Sequence, residues 1–140
     1  MKAISIMQPW ATLIAEGHKR IETRNWTTYY RGPLAIHASK GLPGWLADVV
    51  RGEPQFAAAL GNLFDPRGRV LGDLPRGCIV ATCRLVTIQF ITVDFSITNK
   101  ERAFGDYTAG RYAWLLTDVQ PLTTPVPARG ALGLWEWEAQ

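Results

Sequence analysis

The segment Gly17–Trp26, GHKRIETRNW, lies between an apolar stretch with helical spacing and a turn at Arg31-Gly32-Pro33, and the rest of the chain is interpreted from it. It holds three cations, one carboxylate, a histidine and a tryptophan, with Ile21 as its one aliphatic residue. A strand buried on one face alternates apolar and polar residues, and this segment alternates poorly. A departure from the folding pattern marks a candidate functional segment. The alternative is a solvated edge strand that its charges protect from pairing.

A short strand and a short helix are predicted before this segment. Residues 2–6 alternate as a strand does, and Pro9 opens a helix at the first helical position, where its missing N–H leaves no bond unmade. Gly17 is predicted to end the helix, because glycine readily takes the left-handed conformation found there. Three residues with the spacing of one buried helical face are predicted to be core: Trp10, Leu13 and Ile14.

The rest of the chain predicts more strands than helices. Residues 44–61 are predicted to be helical in two pieces, and residues 121–127 to be an extended connection spaced by prolines. Strands are predicted at residues 34–38, 77–92 and 111–119, and from Leu134 onward. Because there is no β-α-β alternation, the pattern predicts a mostly β fold of the α+β class. We expect a small β-barrel with an N-terminal helix and a helical insertion.

Length and composition predict one folded domain over residues 1–140, since 47 % of the residues are hydrophobic. No apolar run approaches the ~20 residues of a membrane helix, and no signal-like apolar core follows the N-terminus. We therefore expect a cytoplasmic protein with no membrane partner.

The cysteines and histidines predict neither a disulfide nor a metal site. Cys78 and Cys83 are five positions apart in one predicted strand, so we expect them buried on opposite faces and unable to bond to each other. The two histidines, His18 and His37, do not form a metal-ligand motif with the cysteines. We expect no metal and no cofactor.

Charge is concentrated near the N-terminal third of the chain. Residues 17–40 contain five cations against a single carboxylate, whereas the net charge of the whole chain is only +3. Arginine supplies most of the cations, and its planar guanidinium suits phosphates, base edges and aromatic faces. A local basic surface with tryptophan and tyrosine nearby indicates a nucleic-acid interface.

The region 64–75 carries two arginines and is rich in glycine, proline and aspartate. Such composition predicts a loop. Arg67 and Arg69 would let this loop close over an anionic ligand, and the alternative is a plain surface loop.

The spacing around Gly17 resembles a known family. The signature G-x-K-x-x-E-x-R of the ASCH domain (activating signal cointegrator homology) stands complete as Gly17, Lys19, Glu22 and Arg24. Further stretches are similar to members of that family, so the resemblance covers nearly the whole chain. These stretches are residues 4–11, Trp26, residues 31–32, 36–39, 75–78, 104–107, 110–114, 128–130 and 133–135.

The resemblance implies a PUA-like β-barrel beside a cleft that the signature residues line. It also implies binding of RNA or another nucleic acid. Some distant members are amidohydrolases that remove an acyl group from modified cytidine, and others are described as ribonucleases. In the amidohydrolase members a threonine nucleophile stands where this chain has Glu22, so a threonine mechanism does not transfer.

The first functional hypothesis is binding of RNA or a nucleotide-like small molecule. Glu22 and Arg24 share a face at i and i+2, so Arg24 can orient the carboxylate toward base amino groups while Lys19 contacts an anion. Lys19 and Glu22 have an odd separation, so they converge only if Lys19 belongs to the turn after Gly17 or if a β-bulge intervenes. The full set of predicted ligand-binding residues is Lys19, Glu22, Arg24, Trp26, His37, Ser39 and Lys40.

The second hypothesis is a hydrolase that acts on a modified nucleoside or on RNA. Glu22 would be the general base, Lys19 its electrostatic partner, and Tyr107 a donor or acid. A third reading is an interaction module without chemistry. Each residue also has a structural alternative: a buried Lys–Glu–Arg network that fixes the turn, Trp26 in the core, His37 with both nitrogens satisfied, Ser39 as a turn residue, and Tyr107 as a loop anchor.

Overall fold

The computed structural model describes residues 1–61 and 73–139, and all statements about the structure concern these residues. The strands are β1 (Lys2–Ile6), β2 (Ile21–Arg24), β3 (Gly32–Ala38), β4 (Cys78–Phe90), β5 (Tyr112–Pro127) and β6 (Leu134–Glu136). The helices are α1 (Trp10–Ala15), α2 (Leu46–Gly52), α3 (Pro54–Leu60) and α4 (Asn99–Ala103). The segment with Arg67 and Arg69, predicted as a loop, lies outside the described residues.

The strands form one mixed sheet in the order β2-β5-β4-β3-β1-β6. β1 and β3 pair in parallel, and the other neighbours pair antiparallel. The sheet curves into a half-barrel with a few helices around it. The predicted mostly β fold, with an N-terminal helix and a helical insertion, is therefore confirmed.

β4 bends because its register against its neighbours shifts. The pairing with β5 shifts between Ile79 and Ala81 and at two further points, and the pairing with β3 shifts between Ile36 and His37. A bulge changes which residues face the core. Cys78 and Cys83 consequently pack in the same buried cluster, so their predicted placement on opposite faces is wrong. Both are buried and free, as expected.

β5 continues through the prolines that were predicted to form a connection. Residues 121–127 pair with the first residues of β4, where Pro127 lies opposite Cys78. Proline is tolerated in a strand when its missing N–H faces an unpaired edge. β2 covers only residues 112–115 of β5, so the later prolines lie along an edge without that neighbour.

Helix α1 packs over the sheet and ends where the sequence indicated. Gly17 has a φ of +82°, and the chain then turns into β2. Leu13 and Ile14 are fully buried, as predicted, but Trp10 is only partly buried and contacts a cavity. α4 was missed by the sequence reasoning. Its start is stabilised by the Thr98 hydroxyl, which accepts from the backbone N–H of Glu101.

Candidate functional site

Lys19 lies in the turn after Gly17. Of the two arrangements predicted to bring Lys19 close to Glu22, a turn or a β-bulge, the structure has the turn. Its ammonium donates to the carbonyl of Ile21 and, at 2.9 Å, to the carbonyl of Phe104. The Glu22 Oε1 atom is 3.7 Å from Lys19 Nζ, and the Lys19 side chain is 1 % exposed. Burial lowers the pKa of Lys19, while the Glu22 and Glu101 carboxylates oppose that shift.

Glu22 is oriented by Arg24 on the same face of β2. Arg24 Nε donates to Glu22 Oε2 at 3.0 Å, and Arg24 Nη2 lies 2.9 Å from the same oxygen. Arg24 Nη2 also donates to the carbonyl of Ser5 at 2.8 Å. Two nitrogens of one guanidinium on one carboxylate oxygen fix the direction of the Glu22 side chain. Oε1, at 3.7 Å from Lys19, stays outside hydrogen-bond distance of that ammonium.

Glu22, Arg24 and Trp26 line a cavity of about 680 Å³, which we call the tryptophan cavity. Trp10 and Trp45 also line it, so three indoles contribute to its wall. Trp26 additionally packs edge-on against the buried Trp114, with ring centroids 4.8 Å apart. Trp26 therefore belongs both to the wall of the cavity and to the packing behind it.

A loop after α4 forms another part of the wall of the tryptophan cavity. Asp106 and Arg111 line it, with Arg111 Nε donating to the Asp106 carbonyl at 3.0 Å and Nη2 to the Thr23 carbonyl at 3.2 Å. Thr108 donates its N–H and its hydroxyl to Asp106 Oδ1, and these bonds lower the pKa of Asp106. The two lining cations, Arg24 and Arg111, are thus matched by protein oxygens.

Lys19 is not among the residues that line the tryptophan cavity. The sequence predicted a direct contact between Lys19 and an anion. The ammonium is instead enclosed by two backbone carbonyls and the Glu22 carboxylate. Its position supports the conformation of the turn and the charge of Glu22.

His37, Ser39 and Lys40 line a second cavity of about 870 Å³, which we call the cationic cavity. Residues 127–132, which begin at the last residue of β5, also line it, and they include Arg129. Apart from Lys19, the predicted binding residues are therefore divided between two cavities. The cavities adjoin, because Ser5 and Ser39 line both of them.

His37 is held rigidly in the wall of the cationic cavity. Its Nε2 lies 2.8 Å from the Ala128 carbonyl, and its Nδ1 lies 2.9 Å from Ser5 Oγ. A carbonyl only accepts, so Nε2 carries the proton in the neutral ring and the Ser5 hydroxyl donates to Nδ1. The ring of His37 also packs edge-on against Trp135. Both ring nitrogens are satisfied, as in the structural alternative for this residue.

A model of the ASCH domain family matches residues 4–126. The chain belongs to the ASCH family. Two curated relatives, Activating signal cointegrator 1 from Homo sapiens and from Mus musculus, are each 25 % identical over 144 residues. These alignments cover 98 % of this chain but 22 % of each relative, so the chain spans about a fifth of their length.

Solved structures show the same fold. The ASCH protein from Zymomonas mobilis aligns with a TM-score of 0.60 at 16 % identity, covering 98 % of this chain and 87 % of that one. A mutant of the Zymomonas mobilis protein aligns with a TM-score of 0.54 at 15 % identity, covering 98 % and 89 %. The resemblance to the ASCH family and its PUA-like fold is thereby confirmed.

Tyr107 of this ASCH chain lines neither cavity. Its ring stacks on Phe95 and packs against Gly105. Its buried hydroxyl has no hydrogen-bond partner within the described residues, and burial together with Glu101 and Glu22 raises its pKa. These contacts are those of the loop-anchor alternative, and the role of Tyr107 as a donor or acid stays a prediction.

Several lining residues were missed by the sequence reasoning. Ser5 looked like an ordinary position of an alternating strand, and Arg129 like a turn residue. Asp106 and Arg111 flank Tyr107 in a polar stretch, which was a usable signal. Trp45 was assigned to a helix face but is about half exposed.

Residues 1–61 and 73–139 contain neither a candidate metal site nor a helix able to span a membrane. No group of three or more His, Cys, Asp or Glu side chains there is arranged to hold a metal ion. In the same part of the chain, no helix has the length and apolarity that crossing a membrane requires.

Proposed function

We propose that this ASCH protein binds RNA by taking one unstacked base into the tryptophan cavity. Sequence-specific RNA recognition commonly uses bases that leave the stack, which then contact aromatic side chains and hydrogen-bonding groups. The observation that carries the proposal is the Glu22 carboxylate. Arg24 holds its Oε2 atom, and Oε1 is left to accept a hydrogen bond from a base N–H group.

The charges of the tryptophan cavity favour a base over a phosphate. Its described lining contains Arg24 and Arg111 together with Glu22 and Asp106, so the formal charges of these lining residues balance. Both arginines already donate to protein oxygens. Among the described lining residues, an entering phosphate would meet two carboxylates and no cation without a partner oxygen, whereas a base amino group would meet an acceptor.

The tryptophans supply a second kind of contact. Stacking of a base on an aromatic side chain contributes about 1–3 kcal/mol and tolerates any base. Trp26, Trp10 and Trp45 line the same cavity as the Glu22 carboxylate. Stacking would provide affinity, and the carboxylate would select bases with an exocyclic amino group. A free nucleoside offers the same groups, so a nucleotide-like small molecule fits this cavity as well.

Hydrolysis of a modified nucleoside or of RNA is the second candidate function. It is favoured by the position of Glu22, whose free oxygen can take a proton from a water held in the cavity. Lys19, buried beside it with a lowered pKa, would act as its electrostatic partner. An amidohydrolase predicts turnover of acylated nucleosides, and a ribonuclease predicts cleavage of short RNAs. Either activity would be abolished in Glu22→Gln.

Calorimetric titration of the four ribonucleosides tests the proposal. We expect at least one nucleoside with an exocyclic amino group to bind, and Glu22→Gln to weaken it about tenfold or more, because a charge-assisted bond becomes a neutral one. Glu16→Gln removes the same charge from an exposed position that lines neither cavity and is the matched control. Equal affinities for wild type and Glu22→Gln, with both folded by near-ultraviolet circular dichroism, would refute the proposal.

A further inference from the structure

The cationic cavity differs from the tryptophan cavity in its charge. Lys40 and Arg129 line it, and none of its described lining residues is acidic. Both side chains belong to exposed residues, and within residues 1–61 and 73–139 neither forms an ion pair. Arg76 lies close to the rim, where it donates to the Lys40 carbonyl at 2.8 Å. Cations without acidic partners in a concave surface attract anions.

The cavity is built on a well-packed base. A Cβ atom added to Gly130 would lie 2.6 Å from His37 Cε1 and 2.7 Å from Ser5 Oγ, so the backbone of the 128–132 segment touches the ends of β1 and β3. The aliphatic stem of Lys40 packs against Gly77, which has a φ of +68°. These contacts direct Lys40 along the cavity wall and hold the arginine-bearing segment close to the sheet.

Ser5 connects the two cavities. Its carbonyl accepts from Arg24, which belongs to the tryptophan cavity, and its hydroxyl donates to His37, which belongs to the cationic cavity. Ser39 lines both as well. A ligand that occupies one cavity and extends over these two serines therefore enters the other.

We infer that the cationic cavity binds a backbone phosphate of the same RNA strand whose base occupies the tryptophan cavity. This inference rests on the proposed function and gives it a ligand class: single-stranded RNA of at least two nucleotides. Lys40 and Arg129 donate to the phosphate oxygens. Leu132, which is 98 % exposed at the same cavity, provides an apolar surface for the adjoining ribose.

The test compares a nucleoside with an RNA strand on two double variants. The probes are the nucleoside that binds best and a random-sequence RNA octamer. Each is titrated at salt concentrations from about 50 to about 300 mM, a range over which the loss of affinity reports the number of phosphate contacts. Lys40→Ala/Arg129→Ala removes both cavity cations. Arg84→Ala/Lys100→Ala removes two cations from exposed positions that line neither cavity and is the control.

We expect the cavity variant to leave nucleoside affinity unchanged and to lower octamer affinity at low salt. The slope of log K against log salt should become shallower by about 0.7 for each lost phosphate contact. The control variant should keep most of the slope. Inorganic phosphate serves as a third probe. Because it lacks the base contact, it should displace the octamer only at concentrations high enough to screen charges in general.

Three results would overturn the inference. The first is equal octamer affinity for wild type and the cavity variant, and the second is an equal loss of octamer affinity in the two double variants. Either result would refute the phosphate site, but the proposed function would stand if nucleoside binding still depended on Glu22. Failure of wild type to bind either probe overturns both proposals together.

Discussion

Among the described residues, the tryptophan cavity and the cationic cavity are each lined by two Lys or Arg side chains, and the two pairs differ in what they already contact. Arg24 and Arg111 donate to carboxylate and carbonyl oxygens of the protein. Lys40 and Arg129 line a wall whose described residues include no acid. The number of cations is therefore a poor guide to anion binding, and the oxygens around each cation decide its function.

The two lysines of the basic segment 17–40 give the clearest case. Lys19 is 1 % exposed and donates to two carbonyls, whereas Lys40 is exposed. The same residue type thus has a structural role beside one cavity and an available charge in the other.

The largest effect is expected from replacing each lysine by methionine. Lys19→Met leaves two carbonyls without their donor and the Glu22 carboxylate with Arg24 as its remaining cation, so the free energy of unfolding should fall by about 3–5 kcal/mol. Lys40→Met should change it by no more than about 0.5 kcal/mol. Urea denaturation measures both values, and similar values for the two variants would break the distinction between a structural and an available lysine.

A smaller effect is expected from Gly130→Ala, at a residue that lines the cationic cavity and not the tryptophan cavity. The new methyl group would press on His37 and Ser5, both held by hydrogen bonds, and such overpacking costs about 1–3 kcal/mol. Gly44→Ala, where an added Cβ meets nothing within 4 Å, is the control. Octamer affinity should fall with nucleoside affinity preserved. A loss of nucleoside affinity would mean that the two cavities are not separate subsites.

The smallest effect is a pH-dependent change in stability, and it concerns Asp106, one of the acids that line the tryptophan cavity. The folded-state pKa of Asp106 is lowered from 3.8, so its contribution to stability is present above pH 3.8 and is lost as pH falls through the lower folded value. Because its side chain is 60 % exposed, the contribution should stay below about 1 kcal/mol. Asp106→Asn should lower stability at neutral pH, and its difference from wild type should shrink in acid.

The exposed Asp94→Asn variant serves as the reference for that pH series. It removes a carboxylate from a position that lines neither cavity. If the stability difference between Asp106→Asn and wild type did not change with pH, the hydrogen bonds from Thr108 to Asp106 would not favour the ionised carboxylate.

Local sequence rules were sufficient for much of the fold and part of the site. The left-handed Gly17 could be expected from its place after α1, and it carries Lys19 into the turn that meets Glu22. The spacing of Glu22 and Arg24 indicated their pairing, because residues two apart share a face of a strand. These features depend on neighbours in the sequence.

The parts that could not be predicted depend on distant residues. Lys19 is enclosed by the carbonyl of Phe104, 85 positions away, and no local rule distinguishes that enclosed ammonium from one that meets a ligand. The register shift near Ile79 moves both cysteines into one cluster. The cationic cavity exists only because the 128–132 segment folds over the ends of β1 and β3.

Indole N–H resonances offer the most direct test of the central claim, that a base enters the tryptophan cavity while the phosphate lies in its neighbour. In a two-dimensional nitrogen–proton spectrum, titration with the best-binding nucleoside should shift the indole signals of Trp10, Trp26 and Trp45, which line that cavity, and leave Trp137 unmoved. The RNA octamer should also shift the backbone signals of residues 128–132. Nucleoside shifts confined to residues 128–132, with the three indoles unchanged, would contradict the account.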